Sequence, residues 1–106
     1  HHLIGAPIFE AMKPTGHFIN IARGDVVEET ALLKALESCQ IAGAGLDVYE
    51  HEPQVPEALI SMENVTLLPH LGTAALEVRE AMGFLAVENL RAALAGETPP
   101  NMIEQA

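Results

Sequence analysis

Three residues that could share a proton-transfer reaction, Arg23, Glu52 and His70, each lie shortly after an apolar run that predicts a buried β-strand. In an open α/β sheet, ligands bind in the crevice beyond the carboxyl ends of parallel strands, and these side chains should meet there. A guanidinium, a carboxylate and an imidazole at one crevice can hold an acid and move a proton. The spacing therefore predicts an active site.

Each of the three residue types suits a different part of that chemistry. The guanidinium of Arg23 presents a fork of donors that can bind a carboxylate through two hydrogen bonds. A contact from Glu52 to one ring nitrogen of His70 would fix the tautomer and favour the imidazolium, so that the other nitrogen can protonate a carbonyl oxygen. Taken alone, Arg23 would be expected in a surface ion pair and Glu52 in solvent. Their convergence with His70 is what favours a function.

The pattern of apolar residues and chain breakers predicts alternating helices and strands, and hence an α/β fold. The predicted order is helix 6–12, strand 17–22, helix 28–38, strand 41–48, helical turn 57–61, strand 64–68 and a long helix from Thr73 to about Ala95, ended by Gly96. The continuous apolar run of the first strand is typical of a central parallel strand that is covered on both faces. A right-handed crossover would set the second strand parallel to the first.

Three smaller patterns favour structural interpretations. Cys39 continues the apolar stripe of the second predicted helix, which favours a buried and inert thiol. Gly43 and Gly45 look like the opening of a dinucleotide fingerprint, but a strand continues through Asp47, so close packing within a strand is favoured. The histidines show no His-x-x-x-His spacing and the cysteine is single, so no metal site is predicted.

The composition argues against several classes of function. Fifteen acidic residues against five basic ones give a formal net charge of -10, and the basic residues are scattered, so nucleic-acid binding is not expected. No apolar run approaches the ~20 residues that a membrane-spanning helix needs. The single cysteine excludes an internal disulfide and favours a reducing compartment. We therefore expect a soluble, cytoplasmic protein.

Two features indicate that the sequence belongs to a larger protein. It opens at His1 without a methionine and enters an apolar segment at once, although His1 and His2 could also remain from an expression tag. The long last helix carries apolar residues on more than one side, including Val78 and Phe84. Such a helix is usually buried between two bodies, so we expect it to pack on something outside this sequence.

Three strings in this sequence resemble the D-isomer-specific 2-hydroxyacid dehydrogenases: residues 19–27, 44–53 and 64–73, in that family's order and spacing. They most resemble its glyoxylate/hydroxypyruvate reductase branch. The resemblance implies the C-terminal half of a Rossmann-like doubly wound parallel sheet, followed by a long helix that returns to the substrate domain. Residues 1–73 would belong to the nucleotide-binding domain and 74–106 to the substrate domain, with the N-terminal remainder absent.

The resemblance also implies roles for individual residues. Arg23 would bind the carboxylate and carbonyl of the substrate, and His70 would be the acid/base paired with Glu52. The carboxylate of Asp47 would contact the nicotinamide carboxamide. The residues expected to contact the cofactor are Ile21, Ala22, Arg23, Asp47, His70 and Gly72. The family's Gly-x-Gly-x-x-Gly turn and its ribose-binding residue are not in this sequence, so the cofactor is NAD or NADP.

The implied function is NAD(P)-dependent reduction of a small 2-keto acid, such as glyoxylate or hydroxypyruvate, to the D-2-hydroxy acid. The full-length protein is expected to be a homodimer and the fragment alone to be inactive. A dehydrogenase-like regulatory or corepressor module that binds dinucleotide without turnover stays open as an alternative. Formate dehydrogenase pairs its histidine with glutamine, so Glu52 argues against it. Phosphoglycerate and erythronate-type dehydrogenases share the triad, which leaves the choice of substrate open.

Overall fold

The computed structural model describes residues 1–103, in which one compact unit spans His1–Gly72 and a second begins at Thr73. The elements of the first unit, in chain order, are α1 (Ala6–Ala11), β1 (His17–Asn20), a 3-10 turn (Gly24–Val26), α2 (Glu29–Glu37), β2 (Gly43–Leu46), α3 (Glu57–Ser61) and β3 (Val65–Leu67). The second unit is built on the 19-residue α4 (Leu76–Leu94). The last three residues of the range 74–106 assigned above to a substrate domain lie outside the described residues.

The three strands form one parallel sheet in the order β1-β2-β3. Phe18 of β1 pairs with Ala44 of β2, and Leu46 of β2 pairs with Leu67 of β3. The connection from β1 to β2 carries α2, and the connection from β2 to β3 carries α3. The predicted parallel α/β arrangement is confirmed, and it brings the carboxyl ends of all three strands to one edge of the sheet.

The hydrophobic core lies between the sheet and the helices of the first unit. The rings of Phe9 in α1 and Phe18 in β1 meet edge to face, with their centroids 5.3 Å apart. One face of α2 is buried, at the spacing that an amphipathic helix requires. The buried residues of α2 are Ala31, Leu32, Ala35 and Leu36, and the largest fully buried side chains elsewhere are Phe9, Ile41 and Leu59.

The two glycines of β2 allow close packing, as their sequence context predicted. A Cβ added to Gly43 would lie 2.4 Å from the carbonyl oxygen of Asn64, far inside van der Waals contact. A Cβ added to Gly45 would lie 2.9 Å from a methyl group of Ile19 on the neighbouring strand. These glycines sit within a strand rather than in a phosphate-binding turn, so the structural interpretation is confirmed.

The prediction that the first strand is central and covered on both faces is wrong for the residues described. β1 has one neighbour, β2, and it ends at Asn20 rather than at Ala22. Phe18 points into the core, but Ile19 points to the opposite face, as the alternation of a strand requires, and is 62% exposed. An apolar run identifies a strand, but coverage depends on which other segments pack against it.

The prediction that Cys39 is buried is also wrong, because α2 ends before the thiol is reached. The helix stops at Glu37, Ser38 is its C-cap, and Cys39 has a left-handed φ of 54°. The 3.6-residue periodicity therefore no longer applies at position 39, and the side chain is exposed.

The long helix begins later than the capping pattern predicted. Its N-cap is Ala75, which makes no side-chain cap, whereas Thr73 accepts a hydrogen bond from Arg79 Nε through its carbonyl oxygen. At the other end, Gly96 follows the C-cap with a φ of 73° and terminates the helix as predicted. Most apolar residues of α4, including Phe84 and Leu94, are exposed within the described chain. No helix in residues 1–103 combines the length and apolar character that crossing a bilayer requires.

Replacing Leu59 with Ala should lower the free energy of unfolding of the chain by about 2–5 kcal/mol, the usual range when a buried leucine leaves a cavity. Leu59 is 0% exposed in the core beneath α3, whereas its neighbour Ile60 is 62% exposed. Ile60→Ala is therefore the matched control, with an expected change within ~0.5 kcal/mol. Urea unfolding of both variants measures the difference, and equal losses would show that α3 does not pack as described.

Candidate active site

The carboxyl ends of the strands open on a groove of about 360 Å³ whose lining includes all three residues proposed for chemistry. Arg23 follows β1, Glu52 lies in the loop after β2, and His70 follows β3. The other lining residues are Gly24, Asp25, Tyr49, Glu50 and His51. The structure thus brings together a guanidinium, a carboxylate and an imidazole that are up to 47 positions apart in the sequence.

The imidazole of His70 and the carboxylate of Glu52 are in direct contact. His70 Nδ1 lies 2.8 Å from Glu52 Oε2, and both side chains remain partly exposed to solvent. The other oxygen, Glu52 Oε1, accepts a hydrogen bond of 3.0 Å from the amide of Tyr49. Hydrogen bonding from His70, followed by that from the Tyr49 amide, lowers the pKa of Glu52 below its ordinary value. A carboxylate that stays ionised can hold an imidazolium in place.

Glu52 and His70 line two grooves that differ in polarity. On one side is the groove shared with Arg23, and on the other is a groove of about 200 Å³ lined by Tyr49, Glu52, Pro53, Val55, Pro69 and His70. The second lining is largely apolar apart from the pair itself and the phenol. Because Glu52 occupies Nδ1, the ring presents Nε2 as the nitrogen available to a ligand.

Arg23 is placed by a turn that depends on Asn20, a residue to which the sequence analysis gave no role. Asn20 is buried at the end of β1; its Nδ2 donates to the carbonyl oxygen of Arg23 at 2.9 Å, and its Oδ1 accepts from the amide of Ala22 at 3.1 Å. Arg23 is extended, and its Nη1 donates to the carbonyl oxygen of Ala22 at 2.7 Å. In the sequence, Asn20 stands out as a polar amide side chain within an apolar strand, and a buried amide of this kind is expected to form hydrogen bonds.

Gly24 permits the backbone after Arg23 to approach the loop that carries Glu52. A Cβ added at Gly24 would lie 1.9 Å from the carbonyl oxygen of Tyr49, a distance that no side chain can adopt. Any larger residue would therefore push the loop after β2 away from the loop after β1. The glycine sets the width of the groove between Arg23 and Glu52.

Asp47 is buried, with 4% of its surface exposed, and binds the turn that contains His70. Its Oδ1 accepts from the amide of Leu71 at 2.7 Å, and its Oδ2 accepts from the amide of Gly72 at 2.9 Å. An ionised carboxylate has about four acceptor positions, so these two bonds leave capacity for a further donor. The expected contact from Asp47 to a nicotinamide stays a prediction.

Among the described residues, four of those predicted to contact a cofactor are not in the lining of the groove that Arg23, Glu52 and His70 share: Ile21, Ala22, Asp47 and Gly72. The side chain of Ile21 is exposed at the carboxyl end of β1, and the amide of Ala22 is used by Asn20. Their expected roles also stay predictions.

His1, His2 and Glu50 offer three ligand atoms within 4.8 Å of one another, a cluster that the spacing in the sequence did not predict. The carboxylate is already engaged: Glu50 Oε1 lies 2.6 Å from His2 Nε2, and Oε2 accepts from the amide of Glu29 at 3.2 Å. The hydrogen bond with His2 is the largest cause that lowers the pKa of Glu50. These bonds tie the first residues and the start of α2 to the loop after β2.

Comparison with known proteins gives consistent matches over the whole chain. The model of the D-isomer specific 2-hydroxyacid dehydrogenase NAD-binding domain matches residues 1–72. A glyoxylate reductase from Thermococcus gammatolerans is 49% identical over 105 residues, which are 99% of this chain and 31% of that protein. A glyoxylate/hydroxypyruvate reductase B from Shigella boydii is 49% identical over 104 residues, 97% of this chain and 32% of that protein.

A solved structure agrees with both sequence matches. The NADPH-dependent glyoxylate/hydroxypyruvate reductase from Sinorhizobium meliloti, in complex with NADP and malonate, superposes with a TM-score of 0.84 at 44% identity. The match covers 99% of this chain and 35% of that one. The chain therefore spans about a third of the length of the relatives it matches.

Replacing His70 with Ala should raise the pKa of Glu52 towards the ordinary glutamate value, because the largest cause of its lowering is removed. The lowered folded-state pKa means that the stabilisation from this contact is present above the unfolded pKa and is lost as the pH falls through the folded value. A carboxyl-carbon NMR titration measures the shift. Glu88, whose pKa is lowered by Arg91, is the internal control and should not move. An unchanged Glu52 titration would contradict the contact.

Proposed function

Since the chain belongs to the D-isomer specific 2-hydroxyacid dehydrogenases, we propose that it is part of an NAD(P)-dependent reductase of a small 2-keto acid, of the glyoxylate or hydroxypyruvate type. The observation that carries the proposal is the 2.8 Å contact between His70 and Glu52 in a groove that Arg23 also lines. That arrangement suits an acid whose carbonyl carbon is next to its carboxylate. The names of the relatives support the same class of substrate.

In the proposed mechanism, Arg23 binds the carboxylate of the 2-keto acid through its fork of donors. The nicotinamide cofactor, when bound, supplies the hydride that reduces the carbonyl carbon. His70 donates the proton from Nε2 to the carbonyl oxygen, and Glu52 stabilises the imidazolium at Nδ1 and fixes the ring orientation. The lowered pKa of Glu52 keeps it ionised for this task near neutral pH.

The described residues suit the nicotinamide end of such a cofactor. Ile21 offers an exposed apolar side chain at the carboxyl end of β1, and Asp47 has acceptor capacity for a carboxamide. We assign Ile21, Ala22, Arg23, Asp47, His70 and Gly72 to this end of the cofactor. The pyrophosphate would be bound by a Gly-x-Gly-x-x-Gly turn, and a residue that follows this turn would distinguish the ribose 2′-hydroxyl of NAD from the 2′-phosphate of NADP. The turn does not occur in this sequence, so both NAD and NADP are compatible with it.

The proposal includes the organisation of a longer protein. Residues 1–73 would complete a nucleotide-binding domain, and 74–106 would return to a substrate domain that the exposed apolar side chains of α4 would contact. The activity would require the additional length that the relatives have. We further propose a cytoplasmic homodimer. A regulatory module without turnover is the outcome to be considered if the kinetic test below fails.

In the protein extended to the length of its relatives, His70→Gln should lower kcat about 100-fold or more with little change in KM, because it removes a general acid. Arg23→Ala should raise KM, because the guanidinium binds the carboxylate of the substrate, and lower kcat, because the guanidinium interacts more strongly with the negative charge that develops on the carbonyl oxygen in the transition state. Oxidation of NADH and NADPH with glyoxylate and hydroxypyruvate measures both effects. His17→Gln and Lys34→Ala are the matched controls and should keep parent rates. Parent rates in both test variants, or no turnover of any 2-keto acid by the parent, would refute the proposal.

The 106-residue chain alone should not bind dinucleotide with micromolar affinity, since the pyrophosphate-binding turn is not in its sequence. Isothermal titration with NADH and with NADPH tests this expectation. Micromolar affinity in either titration would mean that the described strand ends bind the cofactor by contacts other than those proposed.

A further inference from the structure

We propose that Tyr49 is a positioning residue for His70, acting through a hydrogen bond from its phenol to the backbone of Leu68. This inference rests on the proposed function for its kinetic consequences, but its structural consequence can be measured without any turnover. No role for Tyr49 was predicted from the sequence, in which it directly follows the predicted strand 41–48.

The turn that carries His70 needs restraint from outside. His70 has a φ of 56°, in the left-handed region that non-glycine residues seldom adopt because Cβ then crowds the following carbonyl oxygen. Its ring is partly exposed, so burial of the side chain does little to hold that conformation. β3 ends at Leu67, so His70 lies beyond the regular strand. Other contacts must therefore fix the turn.

The phenol of Tyr49 binds the backbone at the point where the chain leaves β3. Tyr49 is buried, and its hydroxyl donates to the carbonyl oxygen of Leu68 at 2.8 Å. The amide of Leu68 in turn donates to the carbonyl oxygen of Leu46 at 2.8 Å. Both backbone groups of Leu68 are thus bound, and the chain is fixed two residues before His70.

The chemistry of the phenol suits this role over the whole physiological range. Burial is the largest cause that raises the pKa of Tyr49 above its ordinary value, with smaller contributions from Asp47 and Glu52. The hydroxyl therefore remains a neutral donor. The longer approach to the carbonyl oxygen of Leu46, at 3.3 Å, competes poorly because that oxygen already accepts from the Leu68 amide.

The segment from Asp47 to Glu52, which contains Tyr49, also holds the far side of the turn and the imidazole ring of His70. Asp47 binds the amides of Leu71 and Gly72, and the Tyr49 amide donates to Glu52, whose other oxygen contacts His70. Tyr49 therefore acts at both ends of the pair: its hydroxyl positions the histidine, and its amide positions the carboxylate. Asp47 is less suitable as a probe because it is also assigned to the cofactor.

The test is Tyr49→Phe, which removes one oxygen atom and keeps the ring that fills the core. With the turn less restrained, the contact from His70 to Glu52 should loosen, and the pKa of Glu52 should rise in a carboxyl-carbon NMR titration. In the protein extended to the length of its relatives, kcat should fall about fivefold, as expected for loss of one hydrogen bond. KM for the keto acid should change by less than about twofold. Thermal melting confirms that the compared samples are folded.

The matched control is Ser61→Ala, which also removes a hydroxyl that donates to a backbone carbonyl, from Ser61 to Ala58 at 2.9 Å, but away from the groove. It should change neither the Glu52 titration nor kcat. An unchanged Glu52 titration in Tyr49→Phe overturns the positioning role whatever the activity. If the parent protein reduces no 2-keto acid while the titration shifts, the proposed function fails and the positioning role stands.

Discussion

The buried carboxylate of Asp47 and the two amides it binds are the interaction on which the candidate site depends. A carboxylate with 4% exposure is costly to remove from water unless donors replace the lost solvent. The amides of Leu71 and Gly72 supply those donors at 2.7 and 2.9 Å. In return, the carboxylate holds the turn that places His70 in its left-handed conformation. The stability of the strand end and the geometry of the site are therefore consequences of the same bonds.

Close approach of backbones is the second requirement. Gly43 allows β2 to lie against Asn64, and Gly24 allows the loop after β1 to lie against Tyr49. Both are places where a methyl group would overlap a carbonyl oxygen. A parallel sheet brings strand ends to one edge, but these glycines determine how close the loops beyond the strands can come. The groove is thus built by small residues and lined by charged ones.

Much of the fold could be predicted from local pattern, because apolar runs and chain breakers act within a few residues. The helix at Glu57–Ser61 and the parallel pairing of β1 with β2 followed directly from such patterns. The exposure of Cys39 did not, since its left-handed backbone breaks the helical periodicity while the apolar stripe continues in the sequence. The exposure of Ile19 could not be predicted either, because coverage of a strand is decided by distant segments.

For the site, residue type and strand-end position were enough to select Arg23, Glu52 and His70, but not the residues that position them. Asn20 and Tyr49 lie within or beside apolar runs, where a polar group has no periodic signal of its own. Their partners are backbone groups of Arg23, Ala22 and Leu68, and backbone atoms are the same in every sequence. Only the folded geometry identifies such bonds.

The acidity of the groove would oppose an anionic ligand if its carboxylates were unpaired. Glu52 contacts His70, and Glu50 contacts His2, and in each case a hydrogen bond with histidine is the largest cause of the lowered pKa. Arg23 donates to a backbone carbonyl, which leaves its positive charge uncompensated by that contact. An acid that enters the groove therefore meets a guanidinium with remaining donors, and two of the three carboxylates in the lining, Glu50 and Glu52 but not Asp25, are engaged by histidines. A strongly acidic chain can in this way still present a local site for a carboxylate.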